Sequence, residues 1–325
     1  MIRTGKKLLV CGSINMDLVV RVDTLPTPRE TVAGKSLAEV SGGKGANQAV
    51  AACRLGAEVA MLGMVGTDSF GNKLRSCLRQ EGVQVDLVGT KEGPSGIAII
   101  PVDKKGENMI IVVPGANGQL SPEDVDAAVA AIEDAGLVML QLEIPVSTVL
   151  HVIRICKKRG IPVILNTAPV PEEFPGELLG VDLVCPNQKE AAAILGIPTP
   201  ETIEEVNHAA HRLIERGAKQ AVLTMGGKGA VLACKMPDGN IATTWIEPYP
   251  VQAVDTVAAG DAFLGALAYR LLDSDSLEML ERASLEDACR FASAAAACSV
   301  MVPGAQPSLP KLEQVHAMMR RNQVS

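Results

Sequence analysis

The stretch Ala253-Val254-Asp255-Thr256-Val257-Ala258-Ala259-Gly260-Asp261-Ala262-Phe263-Leu264-Gly265 predicts a loop that runs into a buried helix. Apolar residues continue at positions 263, 264, 267 and 271 with helical spacing, so we expect the helix to begin near Ala259. Asp261 would then lie in the first turn. Free backbone N–H groups at a helix start bind anions, and Gly260 would let an anion approach the backbone closely.

A carboxylate in this turn is informative because a resting phosphate would repel it. Its presence makes sense where the carboxylate handles a proton of the attacking group. The combination predicts phosphoryl transfer to a hydroxyl, in which backbone amides stabilise the moving phosphoryl group and Asp261 orients or deprotonates the acceptor. The alternative is purely structural, because an aspartate also stabilises a helix N-terminus without any catalytic role. Taken alone, the stretch does not decide between the two.

Composition and charge narrow the class of protein. The 325 residues suffice for one large α/β domain or about two smaller ones. Aromatic residues make up 2% of the chain, so the core must be aliphatic. A net charge of −7 argues against a nucleic-acid surface, which would need a basic face. The eight cysteines show no paired metal-ligand spacing, which predicts reduced core residues of an intracellular protein.

No targeting or membrane segment is apparent in the sequence. The apolar runs are shorter than the ~20 residues that span a bilayer. The first residues lack the apolar length and the small-residue cleavage pattern of a signal peptide. We therefore expect a cytoplasmic protein without membrane or nucleic-acid partners, while an import signal further upstream stays open.

Short apolar runs and helical patterns alternate along most of the chain. This alternation predicts an α/β fold with a mainly parallel central sheet and helices on both faces. The predicted strands include 8–11, 59–65, 137–142, 162–165, 183–185 and 221–224. The predicted helices include 43–56, 70–81, one that Ser121 and Asp124 cap, 149–158, 189–195, 202–216, 260–272, 277–298 and 309–320.

Four further β-like runs, at 18–22, 31–33, 96–102 and 109–113, lie outside this alternation. Two isolated hairpins would be marginal in water, so we expect them to join in one small antiparallel sheet. We expect residues 1–325 to form a single domain. Two insertions within it, at about 16–40 and 95–115, would form the small sheet. Two solvated hairpins are the alternative.

The segment Gly42-Gly43-Lys44-Gly45-Ala46-Asn47 is glycine-rich but matches neither a Walker A motif nor a dinucleotide fingerprint. Its glycines suit close approach of the backbone to a polar ligand, and Asn47 and Asp17 offer partners for hydroxyl groups. Glu143 follows a predicted strand at its carboxyl end, where open α/β sheets bind ligands. The alternative for the glycine segment is a helix start with an exposed lysine.

Two polar elements follow predicted strands later in the chain. Asn187 and Glu190 are three residues apart and share one helix face, which fits either a ligand site or an N-cap with its capping-box partner. The segment 224–229, Thr-Met-Gly-Gly-Lys-Gly, fits either a loop that contacts a ligand or an ordinary turn.

Two segments resemble the signatures of the ribokinase-like (pfkB) sugar kinases. The segment 255–261 resembles the second signature, usually Asp-Thr-x-Gly-Ala-Gly-Asp, with Ala258 in place of its first glycine, and 42–49 resembles the first signature. Both occur in the right order and far apart, so a chance double match is improbable. The resemblance implies a Rossmann-like α/β fold whose small sheet is a lid over the sugar. That lid often makes the dimer contact in the family, so we expect a homodimer.

The resemblance also implies an activity and a set of site residues. The activity is phosphorylation of D-ribose at O5 by ATP to D-ribose 5-phosphate, with Mg²⁺ and a monovalent cation, usually K⁺. Asp261 would be the general base beside an anion hole of Ala258, Ala259 and Gly260. The implied sugar-binding residues are Asp17, Gly43, Lys44, Asn47, Glu143 and Asp261. The implied nucleotide-binding residues are Asn187, Thr224, Gly226, Gly227, Gly229, Gly260 and Ser293, the last at a position where the family often has a larger polar residue. Glu190 and Asn187 would hold Mg²⁺ through waters, and Asp255, Val257, Ser299, Val302, Gly304 and Ser308 would surround K⁺.

Two other functions stay open at this point. One is a related kinase for deoxyribose, another small sugar or a nucleoside. A nucleoside such as adenosine would favour aromatic stacking, and the sugar motifs contain no aromatic residue. The second is a sugar-binding sensor without catalysis, against which the pairing of Gly260 with Asp261 argues. The sequence does not decide which pentose is preferred.

Overall fold

The computed structural model of the protein describes residues 7–273 and 280–322. The helix start predicted at position 277 lies outside the described residues. The strands are β1 Lys7–Cys11, β2 Asn15–Arg21, β3 Ser36–Gly42, β4 Glu58–Gly66, β5 Val88–Lys91, β6 Gly96–Val102, β7 Ile111–Val113, β8 Leu137–Leu140, β9 Val163–Asn166, β10 Leu183–Cys185, β11 Gln220–Thr224, β12 Ala230–Lys235 and β13 Ile241–Ile246.

The helices largely match the predicted set. They are α1 Lys44–Arg54, α2 Ser69–Gln80, α3 Pro122–Ala127, α4 Val129–Asp134, α5 Val146–Arg159, α6 Gln188–Leu195, α7 Ile203–Glu215, α8 Ala259–Asp273, α9 Arg282–Ser299 and α10 Leu312–Asn322. The predicted cap of α3 is confirmed, because Ser121 and Asp124 form a reciprocal capping box with Pro122 in the first turn. Within residues 7–273 and 280–322, none of the helices combines the length and the apolar character that a membrane span requires.

The large sheet has the strand order β13-β12-β11-β10-β9-β8-β1-β4-β5. Neighbouring strands are parallel from β11 to β5, and β12 is antiparallel to both of its neighbours, β11 and β13. Both faces are covered, since Leu8 and Val10 of β1 pack into one helical layer while Leu9 and Cys11 pack into the other. The mainly parallel sheet with helices on both faces is therefore confirmed, and its core is aliphatic as predicted.

The small sheet has the order β3-β2-β6-β7. Its outer pairs are antiparallel, but the central pair β2 and β6 is parallel. The prediction of an antiparallel sheet is thus wrong for the central pair. Both hairpins leave the main domain side by side, with Asn15 opposite Gly96, so their first strands run in the same direction.

One predicted strand of the small sheet is also wrong. Residues 31–33 form no strand, and the antiparallel partner of β2 is β3. The pairing ends with Gly42 opposite Asn15, which returns the chain directly to the start of α1. The position of β3 depends on this return of the chain to α1. The β-propensity of residues 31–33 carries no information about that return, so the prediction placed the strand too early.

Helices α1 and α8 approach each other closely at Gly265. A Cβ atom on Gly265 would lie 2.5 Å from the Cβ of Ala51 and 2.8 Å from the carbonyl oxygen of Gln48. Such distances are shorter than any relaxed contact, so only glycine permits this approach. The packing places the N-terminal turns of both helices side by side.

Replacing Gly265 by alanine should lower the free energy of unfolding by about 1–3 kcal/mol, because the added methyl group forces the two helices apart. Urea denaturation measures the loss. The matched control is Gly176→Ala, since a Cβ on Gly176 has no atom within 4 Å. Equal effects of the two substitutions would contradict the close packing.

Candidate active site

Asp261 is the centre of the candidate site. It lies in the first turn of α8, as predicted, and is 8% exposed. Its Oδ2 accepts a hydrogen bond from Asn47 Nδ2 at 3.0 Å, and its Oδ1 accepts one from Gln48 Nε2 at 2.9 Å. The two glycine-rich segments, far apart in sequence, therefore meet through this carboxylate.

The surroundings of Asp261 make it a stronger base than an exposed aspartate. Burial raises the pKa of Asp261, while the charge of Lys44 and the amide donors of Asn47 and Gln48 partly offset the rise. Burial alone would lower the pKa of Lys44, but the negative charges of Asp261, Glu143 and others raise it above its ordinary value. Lys44 is therefore a cation at neutral pH beside the carboxylate.

The turn before α8 has an unusual backbone. Ala258 has φ of 61°, in the left-handed region that favours glycine. Glycine, the usual residue of the signature at this position, adopts this backbone conformation without strain. Ala258 adopts the same conformation at some cost in backbone strain. A Cβ on Gly260 would have no atom within 4 Å, so the first turn of the helix faces open space. An anion can reach the N–H groups there, of which that of Ala259 also donates to the carbonyl of Thr256 at 3.3 Å.

Two cavities meet at Asp261. The lid-side cavity, of about 320 Å³, lies between the small sheet and the main domain and is lined by Asp17, Gly43, Asn47, Ile100, Glu143 and others. The strand-side cavity, of about 250 Å³, is lined by Asn166, Cys185, Asn187, Glu190, Thr224, Gly260 and others. Four residues line both cavities, namely Lys44, Thr256, Ala258 and Asp261.

The lid-side cavity contains the polar groups predicted to bind a sugar. Asn47 Oδ1 is buried and has no hydrogen-bond partner among the described residues, so it is an acceptor available to a ligand hydroxyl. Glu143 Oε2 accepts hydrogen bonds from Ser13 Oγ and from the backbone N–H of Lys44. Gly43, with φ of 90°, brings the backbone close to this wall.

Asp17 is, with Asp261, one of two carboxyl groups of the lid-side cavity whose pKa is raised. Burial, together with the charges of Glu143 and Asp261, raises the pKa of Asp17 from its ordinary 3.8 to about 7. The lid-side cavity therefore concentrates acceptor groups, with little positive charge except Lys44.

Asn187 and Glu190 line the strand-side cavity, and they also cap α6. Asn187 Oδ1 accepts from the backbone N–H of Glu190, and Glu190 Oε2 accepts from the backbone N–H of Asn187 and from Thr167 Oγ1. The N-cap with its capping-box partner is thus confirmed, and the ligand site stays a prediction that the place of both residues at the cavity allows. Their hard oxygen atoms fit Mg²⁺ that keeps several waters. The described residues contain no cluster of three or more His, Cys, Asp or Glu that would enclose a metal on its own.

The nucleotide-binding residues predicted from the sequence are only partly brought together. Thr224 lines the strand-side cavity and pairs with Asn187 through a parallel bridge. Gly226, Gly227 and Gly229 lie in and after the short 3₁₀ turn that follows β11, outside both cavities. Ser293 on α9 is buried, donates to the carbonyl of Glu247 at 3.4 Å and lines neither cavity.

The residues predicted to surround K⁺ lie in two loops that are hydrogen-bonded to each other. The backbone N–H groups of Val254 and Asp255 donate to the carbonyl of Val300, and Asp255 Oδ2 accepts from the N–H of Gly304 at 2.8 Å. Asp255 Oδ1 accepts from the N–H of Val257. In the second loop, the N–H of Val302 donates to the Ser299 carbonyl, and the hydroxyl groups of Ser299 and Ser308 are 2.8 Å apart.

Sequence reasoning missed a buried amide network behind Asp261. Gln48 contacts Gln141 and Asn166 as well as Asp261. Only the place of Gln141 and Asn166 near the ends of predicted strands could have suggested a role. A second missed residue is Asn117, which is buried and binds the backbone of Ile14 through both its amide oxygen and its amide nitrogen.

Known proteins resemble this chain over most of its length. The family model described as "pfkB family carbohydrate kinase" matches residues 5–312. A ribokinase of Haemophilus influenzae is 38% identical over 95% of this chain and 97% of its own length. A deoxyribokinase of Salmonella typhi is 35% identical over 97% of this chain and 99% of its own length.

The solved structure of Arabidopsis thaliana ribokinase complexed with ribose and ATP has a TM-score of 0.84 and 35% identity, and it matches 96% of this chain and 98% of that one. A bifunctional ribokinase/ribose-5-phosphate isomerase A of Fructilactobacillus sanfranciscensis is 37% identical over 98% of this chain, and the chain spans 57% of its length.

Replacing Asp17 by asparagine should stabilise the protein more at pH 8 than at pH 5. Between about pH 4 and pH 7 folded Asp17 holds a proton that unfolded Asp17 has lost, so its contribution to stability falls as pH rises through that window. Asparagine removes this penalty, and the difference should reach a few kcal/mol above pH 7, on the order of 1.4 kcal/mol per pKa unit.

Urea denaturation at pH 5, 6.5 and 8 measures this difference. Asp134→Asn, at an exposed position of α4, is the control for the effect of pH on the comparison. A constant difference between wild type and Asp17→Asn across the three pH values would disprove the raised pKa.

Proposed function

The chain belongs to the pfkB family of carbohydrate kinases, and on this premise we propose that it transfers the γ-phosphoryl group of ATP to O5 of D-ribose, giving D-ribose 5-phosphate. One observation carries the proposal. Asp261 lies in the wall shared by the lid-side and strand-side cavities, next to the free N-terminus of α8. A hydroxyl in the first cavity and a phosphoryl group in the second would meet at this carboxylate.

In the proposed mechanism Asp261 accepts the proton of the attacking hydroxyl. Burial strengthens it as a base, and its hydrogen bonds from Asn47 and Gln48 leave each oxygen with a second acceptor site. As the hydroxyl oxygen bonds to phosphorus, the proton moves to the carboxylate and the bond to the leaving ADP breaks. The carboxylate then returns the proton to water.

The negative charge that develops on the transferred phosphoryl group would be stabilised in the strand-side cavity by two groups of the chain. They are the N–H groups at the start of α8 and the ammonium group of Lys44, which is held protonated by its acidic neighbours. Asn187 and Glu190 would hold Mg²⁺ through waters, and this ion would neutralise phosphate charge when bound.

The sugar hydroxyls would bind to the acceptor groups of the lid-side cavity. The unpartnered Asn47 Oδ1, the Asp17 carboxyl and Glu143 are the groups that support this assignment. Deoxyribose is the second candidate, because a deoxyribokinase is about as similar to the chain as the ribokinases are. The two sugars differ by the hydroxyl at C2, so the number of acceptors used at this wall would decide between them.

A monovalent cation would bind between the loops 253–257 and 299–308 and fix the turn that forms the anion hole. The mutual hydrogen bonds of these loops support the proposal, because Asp255 joins the N–H of Gly304 in one loop to that of Val257 in the other. The oxygen atoms of the two loops would hold the ion beside the turn at Ala258. K⁺ is the expected ion.

A homodimer through the small sheet also forms part of the proposal. The edge strand β7 and the two residues before it expose aliphatic side chains from Met109 to Val113, each at least 42% exposed. Ile110 and Val112 line the lid-side cavity, and Met109, Ile111 and Val113 alternate with them and do not line it. Apolar exposure of this kind on an edge strand favours association. Light scattering of wild type and of Ile111→Lys, which should be monomeric, tests this contact.

The activity is tested by one panel of sugars and nucleosides, assayed for ATP-dependent phosphorylation in K⁺, Na⁺ and a bulky organic cation. We expect D-ribose to give the highest kcat/KM and K⁺ to give the highest turnover. Binding of a sugar without turnover of any substrate would instead indicate a sensor. Equal turnover in all three cations would refute the proposed cation site.

Replacing Asp261 by asparagine should reduce kcat about 10²- to 10⁴-fold with sugar and ATP still bound, as expected when a general base is removed. Asp273→Asn, an exposed position at the far end of the same helix, is the matched control. Stopped assays measure turnover and calorimetry measures binding. Near-normal turnover of Asp261→Asn would remove this residue from its assigned role.

A further inference from the structure

We propose that Gln48 is a positioning residue that fixes the orientation of the Asp261 carboxylate and keeps it ionised for proton transfer. The inference rests on the proposed function, because it assigns a second residue to the step that Asp261 performs. Gln48 lies on α1, is 0% exposed and cannot itself contact a ligand from solvent. Its amide is therefore placed for an internal task.

The hydrogen bonds of Gln48 define which way its amide points. Its Oε1 accepts from Gln141 Nε2 at 2.7 Å, and its Nε2 donates to Asp261 Oδ1 at 2.9 Å and to Asn166 Oδ1 at 3.3 Å. If the amide were flipped, its oxygen would face the oxygens of Asp261 and Asn166, and its nitrogen would face the nitrogen of Gln141. Gln48 thus always presents a donor to the carboxylate.

The network is anchored in the main sheet. Asn166 ends β9 and donates to the carbonyl of Cys185 on β10, while Gln141 directly follows β8. A chain of amides therefore connects three neighbouring strand ends to α1 and then to α8. The position of the Asp261 carboxylate is set by the rigid sheet as well as by its own helix.

The fold accepts a cost to keep this network. Gln141 Oε1 is buried without a hydrogen-bond partner among the described residues. A Cβ on Gly12 would lie 1.8 Å from that oxygen, so the absent side chain of Gly12 leaves the space that Gln141 fills. Buried amides are unfavourable unless fully bonded, and aliphatic side chains would fill the same volume at less cost. The retained amides point to a task other than stability.

Each carboxylate oxygen of Asp261 has one amide donor. Gln48 binds Oδ1 and Asn47 binds Oδ2, so rotation of the carboxylate breaks both hydrogen bonds. Donors that bind the ionised form lower a pKa, and they act here against the rise that burial causes. Asn47 also faces the lid-side cavity, whereas Gln48 contacts only protein, so the two donors can be tested separately.

Other charges that face Asp261 come from separate elements. They are Lys44 on α1, Glu143 after β8 and Asp17 on β2, and Glu190 on α6 acts on Lys44. Substitution of Gln48 leaves all of them in place. A change in the titration of Asp261 in a Gln48 variant therefore reports the lost amide donor.

The experiment measures the pH dependence of the single-turnover rate of sugar phosphorylation for wild type, Gln48→Met and Gln48→Glu. The methionine variant lacks the donor at nearly the same size, so we expect the acid limb to rise by about 1–2 pH units, the change expected for one charge-assisted hydrogen bond. At pH values below the acid limbs of both proteins, the rate of Gln48→Met should be about 10- to 100-fold lower than that of wild type. At alkaline pH the two rates should become equal. The glutamate variant should shift the limb further, since two adjacent carboxylates share one proton.

Gln220→Met is the matched control, because Gln220 has a buried amide oxygen and lies away from the site. Its Nε2 donates to the backbone carbonyl of Leu280 at 2.6 Å. Its acid limb should stay at the wild-type position. An unmoved limb in both Gln48 variants, whatever their rates, would overturn the proposal. If the methionine variant does not fold, Gln48→Ala, which also removes the donor without adding a charge, decides the same question.

A second readout separates this inference from the proposed function. The carboxyl ¹³C resonance of Asp261, identified by its loss in Asp261→Asn, reports the pKa without turnover. An upward shift of this pKa in Gln48→Met supports the role of Gln48 even if no tested sugar is phosphorylated by the wild type. If the wild type phosphorylates a sugar but the pKa of Asp261 is unchanged in Gln48→Met, the role of Gln48 is rejected while the kinase assignment stands.

Discussion

The close packing of α1 on α8 is the constraint on which the site depends. Gly265 allows the carbonyl of Gln48 and the methyl group of Ala51 to approach within distances that no side chain would permit. Asp261 lies four residues before Gly265 and therefore on the same face of α8. The contact that joins the helices thus also sets the distance between the carboxylate and its two amide donors. Packing and chemistry share one interface, and neither helix could move without changing both.

Much of the fold could be predicted from local pattern. Apolar runs with helical segments between them predicted the parallel sheet, and the Ser121 cap followed from residue types at fixed spacing. The small sheet was predicted to exist but not how it pairs. The parallel central pair of β2 and β6 depends on where two distant hairpins leave the main domain. No residue within either hairpin encodes that direction, so it could not be obtained from propensity.

The candidate site shows the same division. Residues at helix starts and strand ends, such as Asp261 and Glu143, could be found from position and chemistry, and the family resemblance assigned most of the others. Gln48 was within a quoted motif and still had no predicted role, because its partners lie 93 to 213 positions away in sequence. Asn187 and Glu190 form a capping box and line a cavity together, so the capping role of that spacing is confirmed while its role as a ligand site stays a prediction.

The distribution of charge explains why the site has two sides. The lid-side cavity places three carboxyl groups, those of Asp17, Glu143 and Asp261, around one lysine, and their mutual repulsion contributes to the raised pKa of Asp17. Such a wall repels a phosphate but accepts the donors of an uncharged sugar, whose hydroxyls relieve the repulsion. The strand-side cavity shares Lys44 and Asp261 with the lid-side cavity and adds Glu190, but it alone contains Gly260 and so offers the N-terminus of α8 to an anion. In the proposed function the helix start would bind the phosphoryl group and the lid-side wall would bind the sugar hydroxyls, so the two substrates would meet across Asp261.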